Sequence, residues 1–340
     1  MRLTFRPTLV NGPAGDPALF VRITGSRRSL LFDLGDLAPL SARQLLTISH
    51  VFVSHGHIDH FVGFDRLLRV LLGRGKTLNL FGPEGFIDQV VHKLGGYTWN
   101  LVGADSPDFR IVVTEVPPNG AGQRAQFRIR TRFEREELTN GPNVGQPLMA
   151  EPGMTVHSAA LDHYTTSLAF ALSEPEHLGV WPNRLADQGL MAGDWLATLK
   201  AAVRTGQPED HPVPVTWQKG VSGPSTLPLG DLRDSLLSRQ RGQKLTYVTD
   251  VRYTAANADR IVELADGSDK LYIETAFREA DAERAAATGH LTARQAGAIA
   301  RRAQADAIGP FHFSSRYAGQ YPALEAEAWA AFRGEGPNEP

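Results

Sequence analysis

The 340 residues include 35 basic and 37 acidic side chains, for a formal net charge of -2, and 42% of them are hydrophobic; such a chain can bury a substantial core and offers a polyanion no global attraction. Cysteine is absent, which excludes disulfides, thiolate-bound zinc and cysteine nucleophiles and leaves nitrogen and oxygen as metal donors. The start MRLTFRPTLV has no long apolar run and no later stretch approaches about eighteen uninterrupted apolar residues, so a cytoplasmic protein without a membrane span is expected.

The runs LTFRPTLV, ALFVRI and SLLFDLG, separated by NGPAGDP and GSRR, predict a strand meander. ISHVFVS predicts a further strand that runs directly into HGHIDH, followed by a helix with Phe64, Leu67, Leu68, Leu71 and Leu72 on one face. LNLFG reads as a strand, PEGFIDQVVHKL as a helix opened by Pro83, and DFRIVVTEV and QFRIRTRF as strands. The β pattern continues through MTVHSAAL and SLAFAL, on either side of Asp162 and His163.

From about Ser173 to Gly230 the periodicity weakens and prolines accumulate, which predicts an inserted arm over 174–230 with a short helix near DWLATLKAAV. KLTYVTD, KLYIETAF and IGPFHFSS then read as strands, with NADRIVELA and TARQAGAIARRAQA as helices between them. Meanders first and strand–helix alternation later suggest layered mixed β-sheets covered by helices, in one domain over 1–333 with a frayed tail at 334–340.

HGHIDH places His55, His57, Asp59 and His60 on one loop at a strand end. In an extended turn, positions 55, 57 and 59 project to one side while adjacent Asp59 and His60 diverge, a pattern that favours two metal ions over one. Such a site needs more ligands, and His163, Asp250 and His312 are His or Asp residues at predicted strand ends. A lone histidine is more often a solvated or satisfied core residue, and His157 and His177 keep that reading.

With these residues in place, the chain resembles the metallo-β-lactamase superfamily, whose αββα sandwich of two mixed sheets flanked by helices carries HxHxDH at the sheet edge. FDLG at Phe32–Gly35 is similar to the element that precedes the motif there. The long span between His163 and Asp250 resembles the ribonuclease Z branch, in which an arm that grips tRNA is inserted at that point. YIETAF, GHLTARQAGAIA and FHFSSRY resemble that branch's HEAT, HST and HxSxRY elements, and LMAGDWLATLKAAVRTG resembles the glycine- and lysine-bearing part of its arm.

The resemblance implies two divalent ions, zinc by preference with manganese or iron also compatible with imidazole and carboxylate. One would take His55, His57 and His163, the other Asp59, His60 and His312, with Asp250 bridging. A bridging hydroxide, which Asp59 would help to orient, would attack phosphorus in line, and His290, held by Glu274, would protonate the departing ribose oxygen as general acid. The bland reading of that pair is a helix-capping histidine beside an unrelated surface glutamate. Arg316 would contact phosphate or else serve a salt bridge, and Arg128, Arg130 and Arg132 would share a strand face as a basic stripe or as a solvated surface.

The implied activity is a phosphodiesterase that cuts tRNA precursors or related RNA at the 3′ side, as a homodimer. Departures from the branch lie on the substrate side: Ala192-Gly193-Asp194 stands where PGP is expected, DLAPLSARQLL follows FDLG in place of a glycine-rich turn, and residues 174–230 hold six acids against four bases. Two alternatives therefore stand beside the ribonuclease: the same chemistry on a small phosphodiester such as a cyclic nucleotide, and a noncatalytic binding relative.

Overall fold

The computed structural model describes residues 4–139 and 141–335; of the predicted tail, 336–340 lie outside the described residues, while Gly334 and Glu335 complete the C-terminal helix cap. The first sheet is formed in chain order by β1 (Phe5–Leu9), β2 (Leu19–Ile23), β3 (Ser29–Phe32), β4 (Ile48–Phe52), β5 (Thr77–Pro83), β6 (Arg110–Val116), β7 (Arg124–Arg128) and β8 (Arg135–Glu137). β3 to β6 are mutually parallel and both flanks are antiparallel. The intervening helices are α1 (Ala42–Leu45), α2 (Ile58–Phe61), α3 (Phe64–Leu71) and α4 (Phe86–Gly95).

β9 (Met149–Glu151), β10 (Met154–Asp162) and β11 (Thr166–Ser173) begin the second sheet. Residues 174–242 then form a separate compact unit: β12 (His177–Val180), α5 (Pro182–Asp187), α6 (Trp195–Arg204), β13 (Pro212–Pro214), β14 (Thr226–Pro228), α7 (Leu229–Leu236) and β15 (Leu237–Gln240). β12 pairs with β15 and β13 with β14, around a core of its own that includes Leu185, Trp195, Leu199 and Leu232. Because α7 and β15 contribute to that core, the unit runs on past Gly230.

β16 (Lys244–Val248), α8 (Ala255–Ala265), β17 (Lys270–Glu274), α9 (Ala282–Thr288), α10 (Ala293–Arg302), β18 (Ile308–Phe311) and α11 (Tyr321–Arg333) complete the chain. The second sheet has the order β18-β17-β16-β11-β10-β9. β10 is antiparallel to β11, β11 to β16, and β16 to β18 are parallel, so the C-termini of β10, β16, β17 and β18 share one edge.

Strand alternation divides the apolar residues among layers. Phe32, Phe52 and Phe81 of the first sheet meet Phe170, Leu172 and Tyr247 of the second, forming the core between the sheets. Leu31, Val51, Val53, Leu78 and Leu80 face the other way, onto Phe64, Leu67, Phe86 and Val90 of α3 and α4. Val248, Leu271 and Ile273 pack against Ile261, Ile299 and Leu324 on the helices outside the second sheet. These are the layers of an αββα sandwich, each helix or sheet hiding one apolar face against the next.

Three local expectations are corrected. Pro83 does not open a helix: β5 pairs with β6 through Pro83, and α4 starts after Gly85, whose φ of 86° suits glycine. QFRIRTRF is no continuous strand, because β7 stops at Arg128, Ile129–Thr131 form a 3-10 turn, and Arg132 and Phe133 take φ of 55° and 61°. HGHIDH is not an extended turn throughout, since His57 caps α2 and Asp59 and His60 lie in its first turn.

Candidate metal centre

Every expected ligand is delivered by the end of an element. β4 leads through Ser54 to His55 and His57, and α2 carries Asp59 and His60; His163 follows β10, Asp250 lies just past β16, Glu274 ends β17 and His312 follows β18. Donor atoms of His55, His57, His163 and Asp250 lie within 4.8 Å of one another, and the same holds for Asp59, His60 and His312. Asp250 sits between the groups, its Oδ2 3.7 Å from His55 Nε2 and 3.5 Å from His163 Nε2, its Oδ1 3.5 Å from His60 Nε2 and 2.9 Å from His312 Nδ1.

The surroundings fix which imidazole nitrogen faces inward. His60 Nδ1 donates to Asp33 Oδ2 at 2.9 Å, and His163 Nδ1 donates to the Gly289 carbonyl at 2.8 Å. Ser54 donates its hydroxyl to Asp33 at 3.0 Å, so the same oxygen accepts from His55 Nδ1, also at 3.0 Å. Each ring thereby turns Nε2 toward the cluster, with Nδ1 held from outside in the way usual for metal-binding histidines. Burial, with His60 beside it, pulls the His55 pKa down to about 2, which keeps that ring a neutral donor.

Several of these atoms lack protein partners. His55 Nε2, His60 Nε2 and His312 Nδ1 are buried without an aligned hydrogen bond, although His312 Nδ1 lies close to Asp250. Orphaned polar atoms are costly in a protein interior, and three converging on two carboxylates fit a divalent cation with nitrogen and oxygen donors. Asp33 and His312 both hold φ of 59°, an uncommon conformation for a non-glycine residue.

Beside this cluster stand Glu274 and His290. Glu274 is fully buried; its Oε1 accepts from the Val251 amide at 2.7 Å and the Leu291 amide at 3.3 Å, and its Oε2 lies 2.8 Å from His290 Nδ1. Burial disfavours charge on His290, and the Glu274 carboxylate outweighs it, so the imidazole pKa lies above its ordinary value. With Nδ1 engaged, Nε2 is the nitrogen free to exchange a proton, and His290 lines a cleft of about 540 Å³ together with His57, Asp59, His163 and His312. The helix-cap reading of His290 does not describe it, because α10 is capped by Thr292.

Arg316 is exposed in a turn just beyond the lining residues Ser314 and Ser315, and among the described residues it makes no salt bridge. Arg128 is held by Asp108 through two hydrogen bonds and Arg130 donates to the Ser106 carbonyl, so the expected stripe is dispersed. Sequence reasoning missed the supporting role of Asp33, whose carboxylate accepts from the Ser54 amide at 2.6 Å, from Tyr247 Oη at 2.9 Å, and from His60. Its signal was a lone aspartate ending the apolar run SLLFD.

No protein-family model matches the chain. Among curated proteins it is 32% identical over 311 residues to ribonuclease Z of Deinococcus radiodurans, covering 90% of this chain and 88% of that one. It is 29% identical over 351 residues to ribonuclease Z of Haloferax volcanii, covering 98% and 91%. Among solved structures, the short form of human tRNase Z superposes with a TM-score of 0.51 at 17% identity, covering 93% of each chain. The Bacillus subtilis metallo-β-lactamase fold protein YhfI gives 0.51 at 16% identity, covering 97% of this chain and 95% of that one. Sequence identity across nine-tenths of its length to Deinococcus ribonuclease Z, on the sandwich these neighbours share, shows that the chain belongs to the ribonuclease Z family.

Proposed function

We propose that the protein is an endoribonuclease that hydrolyses a phosphodiester at the 3′ side of tRNA precursors, using two divalent ions. The observation that carries this reading is the pairing of a two-centre donor cluster with the Glu274–His290 dyad in one cleft. His55, His57 and His163 would hold one ion, Asp59, His60 and His312 the other, and Asp250 would serve both. When bound, such ions polarise phosphoryl oxygen and make water a competent nucleophile at neutral pH; zinc suits the donors, and manganese and iron accept the same set.

The chain's own groups divide the remaining work. His290 Nε2 donates a proton to the departing ribose oxygen, while Glu274 holds the ring and stabilises its charge. Asp59, with Oδ2 3.4 Å from both His60 Nε2 and His312 Nε2 and a side chain 36% exposed, would orient attacking water. Arg316, beyond the cleft lining, would receive phosphates farther along the strand, and residues 174–242 would form the substrate arm. Homodimerisation is part of the proposal and is read by light scattering of the purified chain.

The lack of excess base in residues 174–230 favours a second reading, a small phosphodiester as substrate. Metal-loaded protein offered a tRNA precursor and a panel of cyclic nucleotides at one salt concentration separates the two. Cleavage of the precursor at its 3′ side is the expected result; turnover of cyclic nucleotides alone would replace RNA as the substrate. His55→Ala should abolish both activities while leaving the circular dichroism spectrum intact.

A further inference from the structure

At the end of the first sheet remote from the metal centre lies a second concave site. Arg6 on β1, Arg22 on β2, Arg27 and Arg28 in the β2–β3 turn and Arg43 on α1 line a cavity of about 360 Å³ over Phe20, and no carboxylate is among its lining. Arg28 is neutralised by Glu151, which it grips at 2.7 and 2.9 Å. Arg6, Arg22, Arg27 and Arg43 are exposed, and among the described residues none makes an ion pair.

The register makes this arrangement unfavourable without a ligand. Arg6 and Arg22 are direct cross-strand partners, and like charges in that position destabilise a sheet. Elsewhere on the same sheet such charge is offset: Arg128 is held by Asp108, and Arg135 by Asp88 and Glu137. The chain as a whole is slightly acidic, so the concentration of guanidinium groups is local. From Arg28 to Asp33, the residues that flank β3, five steps of extended chain span roughly 16 Å, which separates this cavity from the catalytic cleft.

Guanidinium forks match phosphate oxygens in two-point contacts, and the four arginines without an ion pair that line this cavity carry more positive charge than a single phosphate offsets. The volume is at the lower end for small-molecule sites and suits a compact anion better than an extended strand. We infer that this cavity binds a compact polyphosphate anion, for which the phosphate chain of a nucleoside triphosphate serves as the probe, at a site separate from the catalytic cleft.

The test is calorimetric titration of ATP, in excess magnesium, into the metal-loaded full chain. One binding event is expected, weakened by roughly tenfold per arginine in Arg6→Gln/Arg22→Gln, with hydrolysis of bis(4-nitrophenyl) phosphate unchanged. His290→Ala, in the catalytic cleft, and Arg69→Gln/Arg74→Gln, which removes two exposed charges elsewhere, should bind ATP as the parent does. The inference is overturned if ATP does not bind, if Arg6→Gln/Arg22→Gln leaves affinity unchanged, if His290→Ala abolishes binding, or if Arg69→Gln/Arg74→Gln weakens it equally. A 5′-hydroxyl oligouridylate whose binding depends on Arg6 and Arg22 while ATP fails to bind would assign the cavity to RNA instead and overturn it too.

Discussion

Glutamine in place of Glu274 tests the general-acid assignment with the least structural disturbance. The amide oxygen can still accept from the Val251 and Leu291 amides, while the group facing His290 Nδ1 changes from a carboxylate to an uncharged NH2. A hydrogen bond to a charged group contributes about 1.5–3 kcal/mol, so loss of imidazolium stabilisation should slow cleavage by about 10- to 100-fold. His290→Ala removes the donor itself and should cost about 100- to 10,000-fold. The two losses act through one proton transfer, so the double variant should be no slower than His290→Ala. Single-turnover cleavage of an RNA substrate is compared with hydrolysis of an activated nitrophenyl diester, whose leaving group needs no proton and whose rate should change by less than about threefold. Equal losses on both substrates, or additive losses in the double variant, would refute the assignment; metal content measured in parallel shows whether ligation was disturbed.

Asp33→Asn should lower metal affinity by about 10- to 100-fold and destabilise the fold by about 3 kcal/mol, since a buried acceptor for His60, Ser54 and Tyr247 loses its charge; competition with a chelator and urea denaturation measure the two effects. Phe52→Ala should cost about 3–5 kcal/mol in urea denaturation, because Phe52 is fully buried with its ring centroid 5.1 Å from Phe32 and 4.9 Å from Phe81. Burial, opposed by Glu151 and reinforced by Arg28, lowers the His50 pKa from 6.5 to about 4. The unfolded chain therefore takes up the proton first, and stability present above pH 6.5 is lost as pH falls towards 4, by up to about 3 kcal/mol. His50→Asn should flatten the stability profile across that window relative to the parent, and identical slopes would discard the reasoning.

How far the sequence was legible depends on how local each cause is. HGHIDH was readable because its donors are adjacent and serve no packing purpose, and the strand ends bearing His163, Asp250 and His312 followed from apolar runs that stop at a polar residue. Arg128, Arg130 and Arg132 misled because alternation implies a shared face only while the strand continues. Here the chain turns after Arg128, and Phe133 becomes buried with its ring centroid 4.6 Å from Trp99 and 6.2 Å from Phe109. That contact joins segments distant in sequence and leaves no trace in local periodicity.

The supporting role of Asp33 was missed for a related reason. At the end of an apolar strand an aspartate reads as the start of a turn, and its partners Ser54, His60 and Tyr247 come from the loop after β4, from α2 and from β16. Tyr247 is fully buried in the core between the sheets, near Phe32 and Phe311, so one carboxylate ties the orientation of His60 to the packing of both sheets. Metal affinity and fold stability should therefore fall together in Asp33→Asn, whereas Tyr247→Phe keeps the ring and the core and removes a single hydrogen bond, at about 1 kcal/mol. If Tyr247→Phe left the metal affinity untouched while Asp33→Asn lowered it, the orientation of His60 would depend on the carboxylate charge alone; a loss in both would place the tyrosine hydroxyl in the same chain of support.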